Sequence, residues 1–330
     1  MNAEDNLIAR HFAPLAGAGG LGLDDDAALL AVPVGHELVL TKDMLVSGIH
    51  FFADDLAASI ARKALRVNLS DLAAKGAEPL GFLLGLGLPD ALKGAGLDTW
   101  LAAFASALGA DAKAFACPLL GGDTVSSPER LTLSITALGM APKGQMVRRA
   151  GARQGDAVYV TGTIGDAALG LQARLKPDAA WVSKLAPEHK AHLLNRYLHP
   201  QPRNALAKTL RRHAHAAMDV SDGLAGDLAR MMRVSGTGAD VALDDVPLSP
   251  AARAALMADL SLAEMVFTGG DDYEILCTVP AVSETEFVQA SQKAGIAAAR
   301  IGRVTDKPGQ VRFHWQGAEV RFGRGSYSHI

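Results

Sequence analysis

Leu119-Leu120-Gly121-Gly122-Asp123-Thr124 closes an apolar run on two glycines, a carboxylate and a hydroxyl. An apolar run entering paired glycines reads as a strand bringing its backbone into a confined place, where a side chain would obstruct a ligand. The strand is expected over residues 116–120, with Asp123 presented at its end, where α/β and α+β proteins tend to bind ligands. Thr268-Gly269-Gly270-Asp271-Asp272 repeats the pattern late in the chain.

Outward from these stretches, strands and helices alternate. Strands are expected at 37–41, 80–88, 131–138, 157–161, 239–243, 273–279, 297–304 and 311–315, and helices at 55–76, 97–108, 164–175, 185–198, 204–213, 225–234 and 284–294. Mixed elements in both halves indicate an α+β (mixed α/β) class with two layered domains. The length of 330 residues fits two domains. The polar segment 142–155 marks the boundary, giving domains of 1–141 and 142–330. Asn68-Leu69-Ser70-Asp71 precedes the first Gly-Gly-Asp, and Val220-Ser221-Asp222 precedes the second. That order suggests an internal duplication.

Composition excludes several classes. With 49% hydrophobic and 20% charged residues, the chain is globular. A net charge of −3 leaves no basic footprint for nucleic acid or anionic lipid. The two cysteines, Cys117 and Cys277, lie in apolar runs and read as buried thiols. The apolar run 80–88 is too short for a membrane span. Glu4 and Asp5 do not make the start of a leader, so a cytoplasmic location is expected. Gly17-Ala18-Gly19-Gly20-Leu21-Gly22 has dinucleotide-site spacing but follows a helix-like segment, and reads as a flexible loop. The glycines at 139–144 have P-loop spacing, yet Gln145 stands where the lysine must be.

The informative residues are acidic. Asp25, Asp26, Asp43, Asp71, Asp123, Asp219, Asp222, Asp271 and Asp272 mostly sit where apolar runs end or beside glycine. Asn68 and Asp71, three apart on the 55–76 helix, share one face. Two carboxylates about 4 Å apart repel by roughly 4 kcal/mol at an effective dielectric near 20. Convergent acids of this kind therefore require cations. Carboxylates and hydroxyls without a His or Cys cluster specify a hard ion, Mg²⁺ above all, which takes its remaining ligands from phosphates such as those of ATP.

Asp25-Asp26-Ala27-Ala28-Leu29-Leu30, Thr41-Lys42-Asp43, Gly48-Ile49-His50-Phe51, residues 63–74, Gly121-Gly122-Asp123-Thr124, Asp219-Val220-Ser221-Asp222-Gly223-Leu224 and Gly269-Gly270-Asp271-Asp272-Tyr273-Glu274 follow one another in an order that resembles the thiamine-monophosphate kinase family. The resemblance implies the two-domain fold of aminoimidazole ribonucleotide synthetase and a homodimer. The activity it implies is ATP-dependent phosphorylation of thiamine monophosphate to thiamine diphosphate. It assigns Asp25, Asp26, Thr41, Lys42, Asp43, Asp71, Asp123, Asp219 and Asp222 to magnesium. It assigns Phe115, Gly121, Gly122, Arg149 and Ser221 to ATP, and His50, Asp271 and Phe322 to the thiamine phosphate. The N-terminal domain is implied to carry ATP, magnesium and the dimer face, and the C-terminal domain to complete the site.

Lys42 stands where the family usually has a hydroxyl residue, and Asp271 where a glutamate is commoner. The tail Ser326-Tyr327-Ser328-His329-Ile330 follows the family ending loosely. Selenophosphate synthetase and the hydrogenase-maturation relative call for terminal cysteines, whereas cysteine occurs here only at 117 and 277. Aminoimidazole ribonucleotide synthetase and a catalytically silent ATP or cation sensor are the remaining alternatives.

Overall fold

The computed structural model describes residues 6–94 and 96–323. Glu4, Asp5 and the tail 324–330, on which two of the expectations above fall, lie outside the described residues. Two compact units emerge: Met1–Leu72 with Ala77–Gln145, and Ala73–Gly76 with Met146–Ile330. The class is α+β.

The first unit is built on β1 (His36–Val46), α1 (Ala57–Ala74), β2 (Glu78–Pro89), α2 (Leu97–Ala114), β3 (Leu119–Ser127) and β4 (Thr132–Pro142). The strands form one sheet in the order β1-β4-β2-β3, antiparallel except for the β2–β3 pair. β4 alternates strictly between buried and half-buried residues, so Leu133, Ile135 and Ala137 face the core while Ser134, Thr136 and Leu138 face the other way. Along α1, Ile60, Ala61, Ala64, Leu65, Leu69 and Leu72 are buried, the three-and-four spacing of a helix face in a core.

The strand over the opening stretch is longer than expected. β3 starts at Leu119 and runs through Gly121, Gly122 and Asp123 to Ser127. Parallel pairing with β2 sustains it: Leu84 opposes Gly122 and Gly85 opposes Asp123. Asp123 is therefore mid-strand. A Cβ at Gly122 would lie 2.0 Å from the Leu84 carbonyl oxygen, so that glycine is required by the neighbouring strand's backbone.

The glycine-rich segment near the N-terminus is not a free loop. It folds as a 3-10 segment, Ala18–Leu23, closed over β3. Gly17 donates its N–H to the Leu119 carbonyl at 2.8 Å, and Gly20 lies against the Leu120 carbonyl.

The second unit contains β5 (Ala157–Thr161), α3 (Asp166–Leu175), α4 (Pro187–Leu198), α5 (Ala207–His213), β6 (Ala216–Asp219), α6 (Leu224–Ser235), β7 (Gly238–Ala242), α7 (Pro250–Ala258), α8 (Ala263–Thr268), β8 (Ile275–Val279), α9 (Glu284–Lys293), β9 (Ala298–Thr305), β10 (Val311–Trp315) and β11 (Ala318–Val320). Its seven strands run in the order β11-β10-β7-β9-β5-β8-β6. β5 and β8 are buried along their whole length, as inner strands covered on both faces should be. One core cluster includes Val158, Val160, Leu169, Met218, Leu228 and Phe267; a second includes Tyr159, Leu210, Cys277 and Phe287. The two sheets differ in strand number and order, and Asp71 lies inside a helix whereas Asp222 lies in a loop. The suggested duplication is absent from the architecture.

Candidate active site

Strand alternation gives β1 two chemically different faces. Val39, Thr41, Asp43 and Leu45 lie on the more buried side, while Leu40, Lys42 and Met44 are exposed. On the buried side the Thr41 hydroxyl donates to the Asp71 carboxylate at 2.5 Å. Asn68, fully buried one helical turn before Asp71, accepts the backbone N–H of Asp43. Burial, and then the negative charge of Asp71, push the Asp43 carboxyl up to about 7. A pair that resists double ionisation in this way could hold a cation.

On the other side, register assembles the floor of a cavity of about 710 Å³. Lys42, Thr136, Leu83 and Gly121 oppose one another in one row across all four strands. Two residues along each strand, Met44, Ser134, Gly85 and Asp123 form the next row. Gly85 and Gly121 keep that floor low. Asp25, Asp26 and Gly122 join the lining.

The structure thus brings Asp25, Asp26, Lys42, Gly121, Gly122 and Asp123 together in one cavity, and Thr41, Asp43 and Asp71 together behind the sheet. Lys42 is not grouped with Thr41 and Asp43, because adjacent strand residues point to opposite faces. Phe115, at the C-terminal end of α2, is outside the cavity lining and sits 5.9 Å beneath the Arg66 guanidinium. His50 closes the turn after β1, its Nδ1 accepting the Val46 N–H at 3.0 Å.

In the second unit, two acidic loops brace each other. Asp271 N–H donates to the Ser221 carbonyl at 2.9 Å, and Tyr273 N–H to the Val220 carbonyl at 2.8 Å. A Cβ on Gly270 would stand 2.2 Å from the Ser221 carbonyl oxygen, so the approach requires glycine. Asp271 and Tyr273 adopt φ values of 72° and 51°, left-handed conformations that are uncommon for non-glycine residues and cluster at functional sites.

Asp219 ends β6 and is buried; Ser221 and Asp222 follow it. Their backbone N–H groups both donate to Asp227 at 3.0 Å. Burial pushes the Asp227 carboxyl up to about 6, the Asp222 charge also raises it, and these N–H bonds act against the rise. Arg230 pairs with Asp222 and reaches Asp227 at 3.4 Å. Arg149 is exposed. Phe322 packs 5.2 Å from Phe313 and 6.2 Å from Phe267, as part of the aromatic edge of the core.

Sequence reasoning missed Asp227, Glu274, Arg196 and Arg203. Glu274 is fully buried and accepts from the Thr161 hydroxyl, Arg196 and Arg203. Its place beside Asp271-Asp272-Tyr273 was the available signal.

Among the described residues, no group of three or more His, Cys, Asp or Glu side chains is arranged to hold a metal ion. The donor set nevertheless fits a hard, oxygen-liganded cation: carboxylates with a hydroxyl, and a half-buried pair that repels.

Residues 24–141 match the family described as AIR synthase related protein, N-terminal domain, and residues 153–314 match AIR synthase related protein, C-terminal domain. The chain is similar to the thiamine-monophosphate kinase of Caulobacter vibrioides, at 41% identity over 99% of this chain and 90% of that protein. It superposes on the thiamine-monophosphate kinase from Stenotrophomonas maltophilia K279a with a TM-score of 0.82 at 37% identity, covering 96% of each chain. The structure of AaThiL complexed with AMPPCP and TMP gives a TM-score of 0.77 at 27% identity, over 99% of this chain and 94% of that one.

Proposed function

The chain belongs to the thiamine-monophosphate kinase family, and from that premise we propose how its residues divide the work of phosphorylating thiamine monophosphate with ATP. The protein is a kinase that yields thiamine diphosphate, with ATP as co-substrate.

The acceptor is a phosphate monoester with a second pKa near ~6, so its oxygen is already anionic at neutral pH. No side chain is needed as a proton carrier. The barrier is repulsion between two polyanions and the charge spread over the transferring group. Bound magnesium supplies neutralisation of that charge.

The chain's own part is to hold and orient. Asp25, Asp26 and Asp123 in the cavity, Thr41, Asp43 and Asp71 behind it, and Asp219 and Asp222 in the second unit are the residues for the cations. Gly121 and Gly122, with Arg149 and Ser221, receive ATP. His50, Asp271 and Phe322 are assigned to the thiamine phosphate. Asn68 and Asp227 act through others: Asn68 fixes the Asp43 backbone and Asp227 fixes the Ser221-Asp222 turn. The observation that carries this reading is the row-by-row convergence of Lys42, Gly121 and Asp123 with Asp25 and Asp26 on one cavity.

The same reading makes the protein a homodimer through the open face of the four-stranded sheet. Leu40 and Met44 on β1 and Val125 on β3 are 59%, 54% and 53% exposed there, large apolar side chains left open on one face of a sheet.

No helix of the described residues is long and apolar enough to cross a membrane, and we place the enzyme in the cytoplasm. The test is ADP release with ATP and Mg²⁺, with and without thiamine monophosphate. Release that requires thiamine monophosphate and yields thiamine diphosphate is expected; release unaffected by it would remove the reading.

A further inference from the structure

We propose that Lys42 is a phosphate-binding residue, a fixed cation that takes an anionic oxygen of the nucleotide's polyphosphate in the cavity of the first unit. The inference rests on the nucleotide reading of that cavity.

Position comes first. Alternation along β1 turns Lys42 away from Thr41 and Asp43, into the row that continues through Thr136 and Leu83 to Gly121. Among the described residues lining the cavity, Lys42 is the only basic one, and it shares the space with Asp25, Asp26 and Asp123.

Its contacts come next. The ammonium donates to the Ser134 hydroxyl at 2.6 Å, a neutral partner from the neighbouring strand. Among the described residues it forms no ion pair with any of those three carboxylates. An ammonium carries several N–H donors, so the hydroxyl aims the group while leaving donors for a ligand.

Among the described residues, the cavity is therefore lined by one cation and three carboxylates that do not pair with it. A simple anion would suit Lys42 and be repelled by the aspartates; a simple cation would do the reverse. A metal–polyphosphate satisfies both, its phosphoryl oxygens meeting Lys42 and its cations meeting the carboxylates. The competing structural role is that of a solvated lysine guarding an edge strand, since β1 lies at the end of its sheet. Such a lysine makes no contribution to nucleotide affinity.

The consequence is a contribution of Lys42 to the affinity for the metal-bound nucleotide. The experiment measures equilibrium binding of AMPPCP to the full chain in Mg²⁺ by calorimetry, for the wild type, Lys42→Met and Lys42→Arg. Lys42→Met is expected to bind about 10-fold more weakly or worse, the loss of one charge-assisted hydrogen bond. Its affinity should also depend less steeply on salt concentration. Lys42→Arg should recover most of the affinity, and Lys42→Gln serves if Lys42→Met does not fold. Lys42→Met binding within about twofold of the wild type overturns the role of Lys42 alone. Wild type that fails to bind AMPPCP in Mg²⁺ overturns the nucleotide reading of the cavity, and Lys42 with it.

Discussion

Asn68 accepts the backbone N–H of Asp43 through Oδ1 at 3.1 Å and donates through Nδ2 to the Ala64 carbonyl at 3.0 Å. A helix side chain thereby sets the position of a strand backbone beside the Asp43–Asp71 pair. Asn68→Ala leaves that N–H without its partner and is expected to cost about 1–3 kcal/mol. Urea denaturation measures the loss, and kcat should fall further than stability alone explains because Asp43 is no longer fixed.

Gly121 and Gly122 separate by experiment. A Cβ on Gly121 makes ordinary contact with Leu83 at 3.4 Å, whereas one on Gly122 collides with the Leu84 backbone at 2.0 Å. Gly122→Ala should destabilise by about 1–3 kcal/mol or more. Gly121→Ala should melt like the wild type but weaken AMPPCP binding, because it raises the cavity floor. Equal melting temperatures for the two variants would contradict the geometry.

Glu274 is enclosed, with Arg196 at 2.8 Å and Arg203 Nε at 2.7 Å. Glu274→Gln leaves two guanidinium groups against a neutral amide, and breaking a buried pair in this way costs about 3–5 kcal/mol. Thermal melting reads it out. Arg203→Met should cost less, since Arg196 and Thr161 remain on the carboxylate.

Burial raises the Asp272 carboxyl well above the ordinary value of 3.8, against the N–H groups of Gly165 and Ala167 that lower it. A folded pKa above the unfolded one means that this stabilising contribution is complete below the unfolded pKa and lost as pH rises through the folded one. Wild type should therefore lose stability relative to Asp272→Asn as pH rises from acid towards neutral. Urea midpoints for both proteins across that range test the sign; a constant difference would contradict it.

Leu40→Glu places a charge on the open face of the sheet. Under the homodimer reading it should shift the protein to half its mass in light scattering while the circular dichroism spectrum stays unchanged.

Much of the fold was legible because its signals are local. The limits of β5 and β10 follow directly from short apolar runs, and α9 from its helical pattern. The length of β3 was not legible, since what carries it through Gly121 and Gly122 is the backbone of β2, 38 residues earlier by the Leu84–Gly122 pairing. The helices Pro250–Ala258 and Ala263–Thr268 went unmarked although Ser249-Pro250 offered a cap and a first-turn proline. The acids and glycines of the site stood out by their motifs. Their supports did not: Glu274 meets Thr161 across 113 residues and Arg203 across 71. The motifs did not show how the acids divide: Asp25, Asp26 and Asp123 line the cavity, whereas Asp43 and Asp71 lie on the other face of the sheet.

The two-sidedness of β1 also limits how this gene can vary. Inserting or deleting a single codon between Val39 and Thr41, with the strand before it held in register, would send Thr41 and Asp43 out to the cavity and drive the Lys42 ammonium inward, inverting the polarity of both surfaces at once. Length changes in surviving relatives should therefore fall in the connecting segments flanking this strand, or arrive within it two residues at a time.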